Sequence, residues 1–373
     1  MGAASLFIGL LALFSLVLSG IALSRDTPLE WRFALPQIAT SDAKPRFKQL
    51  LDYTAATGQA HSPAIVLDQQ GFSIAWFEGS AEAQADVDIY AVRFARQNGA
   101  WVAGDRTPFV TRGALGHAFD PRQLVVTLGN TVQNDAERDA LYATVVSVGG
   151  WAMASVADLR MKAGQVASAR KLNLSPFLNR SHLVKSPMVA YADGSPGLPA
   201  YFEMGGAHST LVRLAPDGRV RDTRRINGED VKPIQPMIVP LDEYRAVAFL
   251  RDFEHSQVLW ISHTEDGGQS WSAVEPTNIP NPSAPVAALP LRDGRMLMAM
   301  NDDAAGADRL RLAVSNDAGG SWHAIHTLED DGGDARYPML RRLPDGDILL
   351  AYSHGTKRGI RVAIFNDAWV GAQ

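Results

Sequence analysis

The sequence predicts an all-β fold, a six-bladed β-propeller, preceded by an apolar N-terminal segment. Three observations carry this reading. A unit of about 50 residues recurs along the chain, each unit reads as strand, tight turn and strand, and two short turn boxes keep step with the units. Such a length matches one four-stranded propeller blade.

Composition narrows the function classes. The chain has 373 residues, 20% charged and 46% hydrophobic, too much charge for a multi-span membrane protein and too much apolar content for a disordered one. Lys+Arg 35 against Asp+Glu 40 gives a net charge of -5, which draws neither nucleic acid nor anionic lipid. Cys is 0, so disulfides, thiol catalysis, cysteine-zinc sites and a lipoprotein anchor are excluded together.

In chain order, residues 1–24 read as an address. Ala3 to Leu23 carries no charge and is rich in Leu, Ile, Phe, Ala and Val. A run of that kind spans a bilayer or serves an export signal. Ala22 and Ser24 are small residues at the positions a signal peptidase reads, placing cleavage before Arg25. The lack of Lys or Arg before the run favours an uncleaved anchor instead. Either way the rest of the chain is expected outside the cytoplasm, periplasmic or extracellular, touching a membrane only through this segment. Residues 25–60 form an extension in which Leu29 to Leu35 offers a strand to complete the last blade, because only eight residues follow Ile360 to Phe365.

Residues 61–373 hold the units. Five begin at Ser62-Pro63, Ser186-Pro187, Gln235-Pro236, Ala284-Pro285 and Tyr337-Pro338, and a weaker one at Asn130-Thr131. Each continues as an apolar run, an Asp/Gly turn and a second apolar run. Met339 to Leu343, Pro344-Asp345-Gly346-Asp347 and Ile348 to Tyr352 form the clearest hairpin. The boxes are Thr264-Glu265-Asp266-Gly267-Gly268-Gln269-Ser270-Trp271 and Ser315-Asn316-Asp317-Ala318-Gly319-Gly320-Ser321-Trp322, 51 residues apart. In each, Asp accepts backbone N–H bonds across a turn, Gly supplies a backbone angle other residues resist, and Trp packs between blades.

These boxes resemble the Asp boxes of the sialidase superfamily. Residues 61–90, with His61, Trp76-Phe77-Glu78-Gly79 and Asp86-Val87-Asp88-Ile89-Tyr90, together with 175–205 and 278–369, are similar to bacterial exo-α-sialidase-like proteins with BNR repeats. The resemblance implies a sialidase-like propeller whose box turns lie opposite the site face, so Asp266 and Asp317 are structural.

The candidate site follows from blade geometry, in which residues before first strands and after second strands meet on one face. Before first strands stand His61, Asn130, Lys185, Gln235, Ser283 and Tyr337. After second strands stand Glu78, Glu82, Asp86, Asp88, Trp151, Glu203, His208, Arg251, Asn301, Asp302, His354 and Arg358. These acids, bases and aromatics suit a polar, acidic sugar. The resemblance implies a glycoside hydrolase with a Tyr nucleophile, a choice that keeps a carboxylate away from the carboxylate of sialic acid. It places Tyr337 as nucleophile, Asp86 or Asp88 as acid/base, and Arg251 and Arg309 among the arginines that clamp the sugar carboxylate. Two parts depart from that pattern: His61-Ser62-Pro63 replaces the first Arg-Ile-Pro, and Gln235 replaces the Glu that takes the Tyr proton, leaving Glu203 as the substitute from the neighbouring blade.

Competing roles exist for the same residues. Tyr337 also suits inter-blade packing, Arg251 and Arg358 surface ion pairs, His61 a structural hydrogen bond, and the acidic loop 78–88 a solvated face. No cofactor or metal is implied: the phosphate-loop, dinucleotide and His-Glu-x-x-His fingerprints are absent, and His323 and His326 have no third ligand nearby. The expected partner is a glycan. The expected function is therefore an exported sialidase-like glycosidase on acidic-sugar glycans, with a non-catalytic carbohydrate-binding or polysaccharide-assembly propeller as the alternative, and a protein scaffold as a third reading.

Overall fold

The computed structural model describes residues 2–25, 28–36, 38, 44–134, 138–175, 179–254 and 256–373. Six antiparallel sheets follow one another around a ring. Blade 1 holds Gln59–Asp68, Gly71–Gly79, Asp88–Gln97 and Ala100–Val110. Blade 2 holds Thr127–Gln133, Ala140–Val146, Ala154–Lys162 and Gln165–Lys171. In blade 3 the inner strand is split into His182–Val184 and Val189–Ala190, followed by Pro196–Phe202, His208–Leu214 and Val220–Ile226. Blade 4 holds Pro233–Pro240, Ala246–Asp252, Val258–Thr264 and Glu275–Pro280, and blade 5 Ala287–Pro290, Met296–Met300, Arg309–Ser315 and His323–Asp330. Blade 6 takes Arg336–Arg342, Ile348–His354 and Gly359–Phe365, and its outer strand is Phe47–Thr54 from the other end of the chain. The all-β six-bladed propeller predicted from the repeat is the observed fold.

Second strands such as Ala246–Asp252 and Ile348–His354 are buried almost throughout, while outer strands alternate. That gradient places the apolar mass between blades: Phe72, Ile74 and Phe94 in one layer, Phe249 and Met298 in another, Leu312, Leu350 and Phe365 in a third.

The chain ends are clasped, but not by the strand expected. Phe47 to Thr54 pairs antiparallel with Phe365 to Gly359. Polar contacts fix that choice: Asp52 pairs with Arg361 at 3.1 Å, and the Tyr53 hydroxyl donates to Glu78 of blade 1 at 3.0 Å. Residues 29–35 lie elsewhere, against blades 3 and 4. Phe33 bridges Tyr191 and its N–H reaches the Glu243 carbonyl at 2.7 Å. The guanidinium of Arg213, wholly buried, sits 3.3 Å from the Tyr191 ring centre and 4.7 Å from that of Trp31. Aromatic side chains at 31 and 33 thus find a cation and a ring to pack on in blade 3.

Both boxes form turns between third and fourth strands. Asp317 accepts from the Ser321 hydroxyl at 2.6 Å, the Ser321 N–H at 2.8 Å and the Ser315 hydroxyl at 2.7 Å. Those donors hold its carboxyl down to about 2. Trp322 meets Phe249 of blade 4 edge-on at 5.7 Å, so the box also joins blades. In the other box Gly267 has φ 74°, and a Cβ there would lie 2.0 Å from the Trp31 carbonyl oxygen. Gly267→Ala is expected to cost about 2–3 kcal/mol, whereas Gly294→Ala, at φ 84° in open space, should cost only about 1 kcal/mol. Paired thermal melts check this; equal losses would disprove the contact with Trp31.

The N-terminal helix runs Ala3–Arg25, and Leu6, Phe7, Ile8, Leu10 and Leu16 on it are exposed. Among the described residues no helix is long and apolar enough to cross a membrane.

Candidate functional site

The polar face is built by one backbone feature repeated around the ring. Ser62, Gln235 and Tyr337 each precede the proline of an inner strand and have φ of 57°, 54° and 57°; Ser283, one residue further from its proline, has 53°. Strand pairing slips at these points, between His61 and Ala64, Ile234 and Met237, and Arg336 and Met339. Proline cannot donate to the ladder, and the bulge turns the residue before it out of the sheet. A non-glycine residue in that conformation costs about 1–3 kcal/mol, and such strain clusters where side chains must be aimed.

The aimed side chains meet. The Gln235 amide donates to the Tyr201 hydroxyl at 3.0 Å and stands 3.4 Å from the Tyr337 hydroxyl. Tyr337 is half-buried, and its ring meets that of His61 at 4.5 Å. His61 is 1% exposed, and neither ring nitrogen has a hydrogen-bond partner among the described residues. Burial, then Lys357 and Arg336, push its pKa well below 6.5, so the ring is neutral at physiological pH. Ser62 donates to Asn130 at 2.6 Å. Arg251 donates to the Ser283 carbonyl at 2.9 Å, and its Nε is buried with no hydrogen-bond partner among the described residues.

Lys185 is buried and donates to the carbonyls of Val286 at 3.0 Å and Pro338 at 2.7 Å, joining blade 3 to blades 5 and 6. Burial, then Arg251, lower it to about 7. A neutral amine has two N–H groups for these two acceptors. The unfolded chain holds its Lys proton up to about 10.5, so between pH 7 and 10.5 it binds more protons than the folded one, and this group adds stability as pH rises through that window and withdraws it as pH falls towards 7. Lys185→Met is expected to flatten that rise in melting temperature. At pH 9 it should be less stable by about 1–2 kcal/mol for each carbonyl left bare; an unchanged slope between pH 7 and 9 would refute the neutral-amine assignment.

Two acids that read alike in the sequence differ in the fold. Trp76-Phe77-Glu78 and Tyr201-Phe202-Glu203 both end second strands. Glu78 is filled: both oxygens accept from Tyr53 at 3.0 Å, one accepts from Trp76 Nε1 at 2.9 Å, and Arg106 lies at 3.8 Å. It joins the clasp to blade 1. Among the described residues nothing hydrogen-bonds or ion-pairs with the Glu203 carboxylate. Burial raises its pKa, Arg251 opposes this, and Glu82 adds to it. Tyr201 is pushed well above 10 by burial, then by Glu203 and Tyr337. Tyr337, Gln235, Tyr201, Glu203, Arg251, His61 and Lys185 therefore form one coupled group.

Other expected site residues are occupied elsewhere. Asp86 accepts from Ser80 N–H and hydroxyl, both at 3.0 Å, within its own exposed loop. Asp88 holds Arg112 through its N–H at 2.7 Å and Nε at 2.9 Å. Neither is an unpaired carboxylate at Tyr337. Arg309 is held by Asp302 at 3.0 Å and Asp303 at 3.5 Å. Asn301 is wholly buried and donates to the carbonyls of Arg309 and Ala335, bracing its loop. Arg358 is exposed on the last turn of blade 6. Sequence reading missed Tyr201, although alignment of the two aromatic-Phe-Glu strand ends points to it. It also missed Lys357, which pairs with Glu82 across blades 6 and 1.

A cavity of about 380 Å³ is lined by Leu35, Pro187, Met237, Ala288 and Leu340 among others. Its lining is mostly apolar but includes Arg341 and Arg342, and it holds none of the coupled group. Among the described residues no cluster of His, Asp and Glu suits a metal ion.

The BNR repeat-like domain family matches residues 70–357. No curated protein matches the chain in sequence. Among solved structures, a protein of unknown function from Dyadobacter fermentans is similar at TM-score 0.65 and 13% identity, covering 86% of this chain and 99% of that one. A Hadza microbial sialidase is similar at 0.63 and 13%, covering 84% and 68%. The leech intramolecular trans-sialidase, solved with 2,7-anhydro-Neu5Ac, is similar at 0.65 and 10%, covering 86% and 70%. Identity this low establishes the fold alone.

Proposed function

Because the chain belongs to the BNR repeat-like domain family, we propose that it is a glycan-recognising propeller, held outside the cytoplasm by its N-terminal segment as signal or anchor, with the terminal sugar seated over Tyr337. The observation that carries this is the contact between Tyr337 and Gln235. An amide N–H facing the phenol oxygen cannot take its proton, so the nucleophile of a sialidase-type reaction is present without the neighbouring acceptor. Glycan recognition needs only the aimed polar side chains, and the sialidase-type relatives act on sugars at this kind of fold.

A second reading, glycoside hydrolysis, is favoured by one observation: Glu203 is unpaired among the described residues, its proton affinity is raised, and its charge reaches Tyr201, which Gln235 joins to Tyr337. Fluorogenic glycosides separate the two. Binding propellers bind without release, and Tyr337→Phe, which keeps the ring, should retain affinity within about threefold, the loss of one weak hydrogen bond. Release that vanishes in Tyr337→Phe would replace the binding reading with the hydrolytic one.

A further inference from the structure

The unmet hydrogen-bonding groups at this face have both signs. Gln235 Oε1 is buried, has no partner among the described residues and can only accept. Neutral His61, also buried and unpartnered, has one nitrogen to donate and one to accept. Arg251 Nε can only donate. Glu203 can accept, and the Tyr337 hydroxyl can do both. His61 and Gln235 meet at Tyr337, His61 packing on its ring and Gln235 standing at its hydroxyl, while Glu203 and Arg251 both act on Tyr201, which Gln235 joins to Tyr337. A buried polar atom left unpaired costs about 1–3 kcal/mol, so a ligand or ordered water that satisfies several of them is favoured.

A carboxylate only accepts. Placed here it would meet Arg251 and the His61 N–H. It would leave the Gln235 oxygen and the other His61 nitrogen unmet, and it would set a negative charge beside Glu203 and Glu82. Of the other cations near this face, Lys357 is paired with Glu82, Arg336 with Asp334 and Arg309 with Asp302, Lys185 is taken up by two backbone carbonyls, and Arg358 stands exposed on the last turn of blade 6. Adjacent hydroxyls donate and accept alternately, which matches the inventory.

We propose that the central face takes an uncharged sugar through a pair of vicinal hydroxyls, bonded by Gln235, His61, Arg251, Glu203 and Tyr337 directly or through one ordered water, and does not select a carboxylate-bearing sugar. This rests on the reading of the face as a glycan site and names its ligand class. Half-buried Tyr337, Glu203 and Arg251 form the rim, and the orphaned atoms of Gln235 and His61 the floor.

The test titrates the full-length chain, in a detergent without a sugar headgroup, with methyl glycosides of neutral hexoses and 6-deoxyhexoses. The methyl α-glycoside of N-acetylneuraminic acid and methyl glucuronoside are titrated alongside, and saturation-transfer NMR reads binding. At least one neutral glycoside should bind about tenfold or more tightly than either acid. Glu203→Gln, nearly isosteric, should weaken it about tenfold, as expected for loss of a bond to a charged acceptor. Tighter binding of an acidic glycoside, strengthened further by Glu203→Gln, would overturn the uncharged-sugar inference and leave the glycan reading standing. No binding by any probe would overturn both. Melting curves confirm that the variant is folded.

Discussion

Removing residues 2–56 is expected to leave the ring open and the protein unable to hold its native fold, whereas removing residues 2–27 should change the melting temperature by no more than a few degrees. The longer deletion takes the outer strand of blade 6, Phe47–Thr54, and with it the pairing to Gly359–Phe365. Phe47 stacks on Phe365 at 5.7 Å and meets Trp369 at 4.7 Å, while Leu50, Leu51 and Tyr53 pack on the core. Four such side chains at about 1.5 kcal/mol each contribute about 6 kcal/mol, a large share of the roughly 5–15 kcal/mol that holds a domain folded. The deletion also strips Glu78 of Tyr53 and Arg361 of Asp52, and exposes a long apolar strand edge open to aggregation. Circular dichroism and thermal melts of the two truncations check this. A cooperative transition for the longer deletion within about 5 °C of the shorter would show that the clasp does not close the ring.

Gln235→Leu is expected to weaken both the fold and glycan binding. Leucine keeps the volume and removes the amide that joins Tyr201 to Tyr337. The Tyr201 hydroxyl, 1% exposed, is then left without its partner, at a cost of about 1–3 kcal/mol. Glycan affinity should fall at least about tenfold, because the floor loses its buried acceptor. The measurement pairs a melt with a glycan titration. Full affinity in a destabilised variant would place the sugar away from Gln235. Loss of affinity with the left-handed Tyr337 intact, read from a crystal structure of the variant, would support the floor as described.

The blade count was legible because a period near 50 residues survives in the prolines and hairpin turns, and the boxes were legible because each bonds within its own eight residues. The clasp was legible only as a need. Leu29 to Leu35 and Phe47 to Thr54 both carry apolar residues suited to a strand. What separates them, Asp52 with Arg361 and Phe33 with Tyr191, joins residues far apart in the chain. At the site, position was readable and pairing was not. Tyr337, Gln235, His61, Lys185, Arg251 and Glu203 stand where blade geometry puts them. Glu78 and Glu203 follow the same aromatic-Phe pair, yet only one is filled, because the clasp strand brings Tyr53 to it. Arg309 looked like a clamp residue and is held by Asp302, seven residues away, through a loop whose course is set by Asn301.

The central claim is that a glycan sits over Tyr337. Its most direct test is a glycan array probed with the full-length chain and with Tyr337→Ala side by side, after melting curves show both are folded. The account predicts binding to a restricted set of glycans by the parent chain, and loss of that binding in the variant. Binding that survives Tyr337→Ala, or an array with no bound glycan, would contradict it.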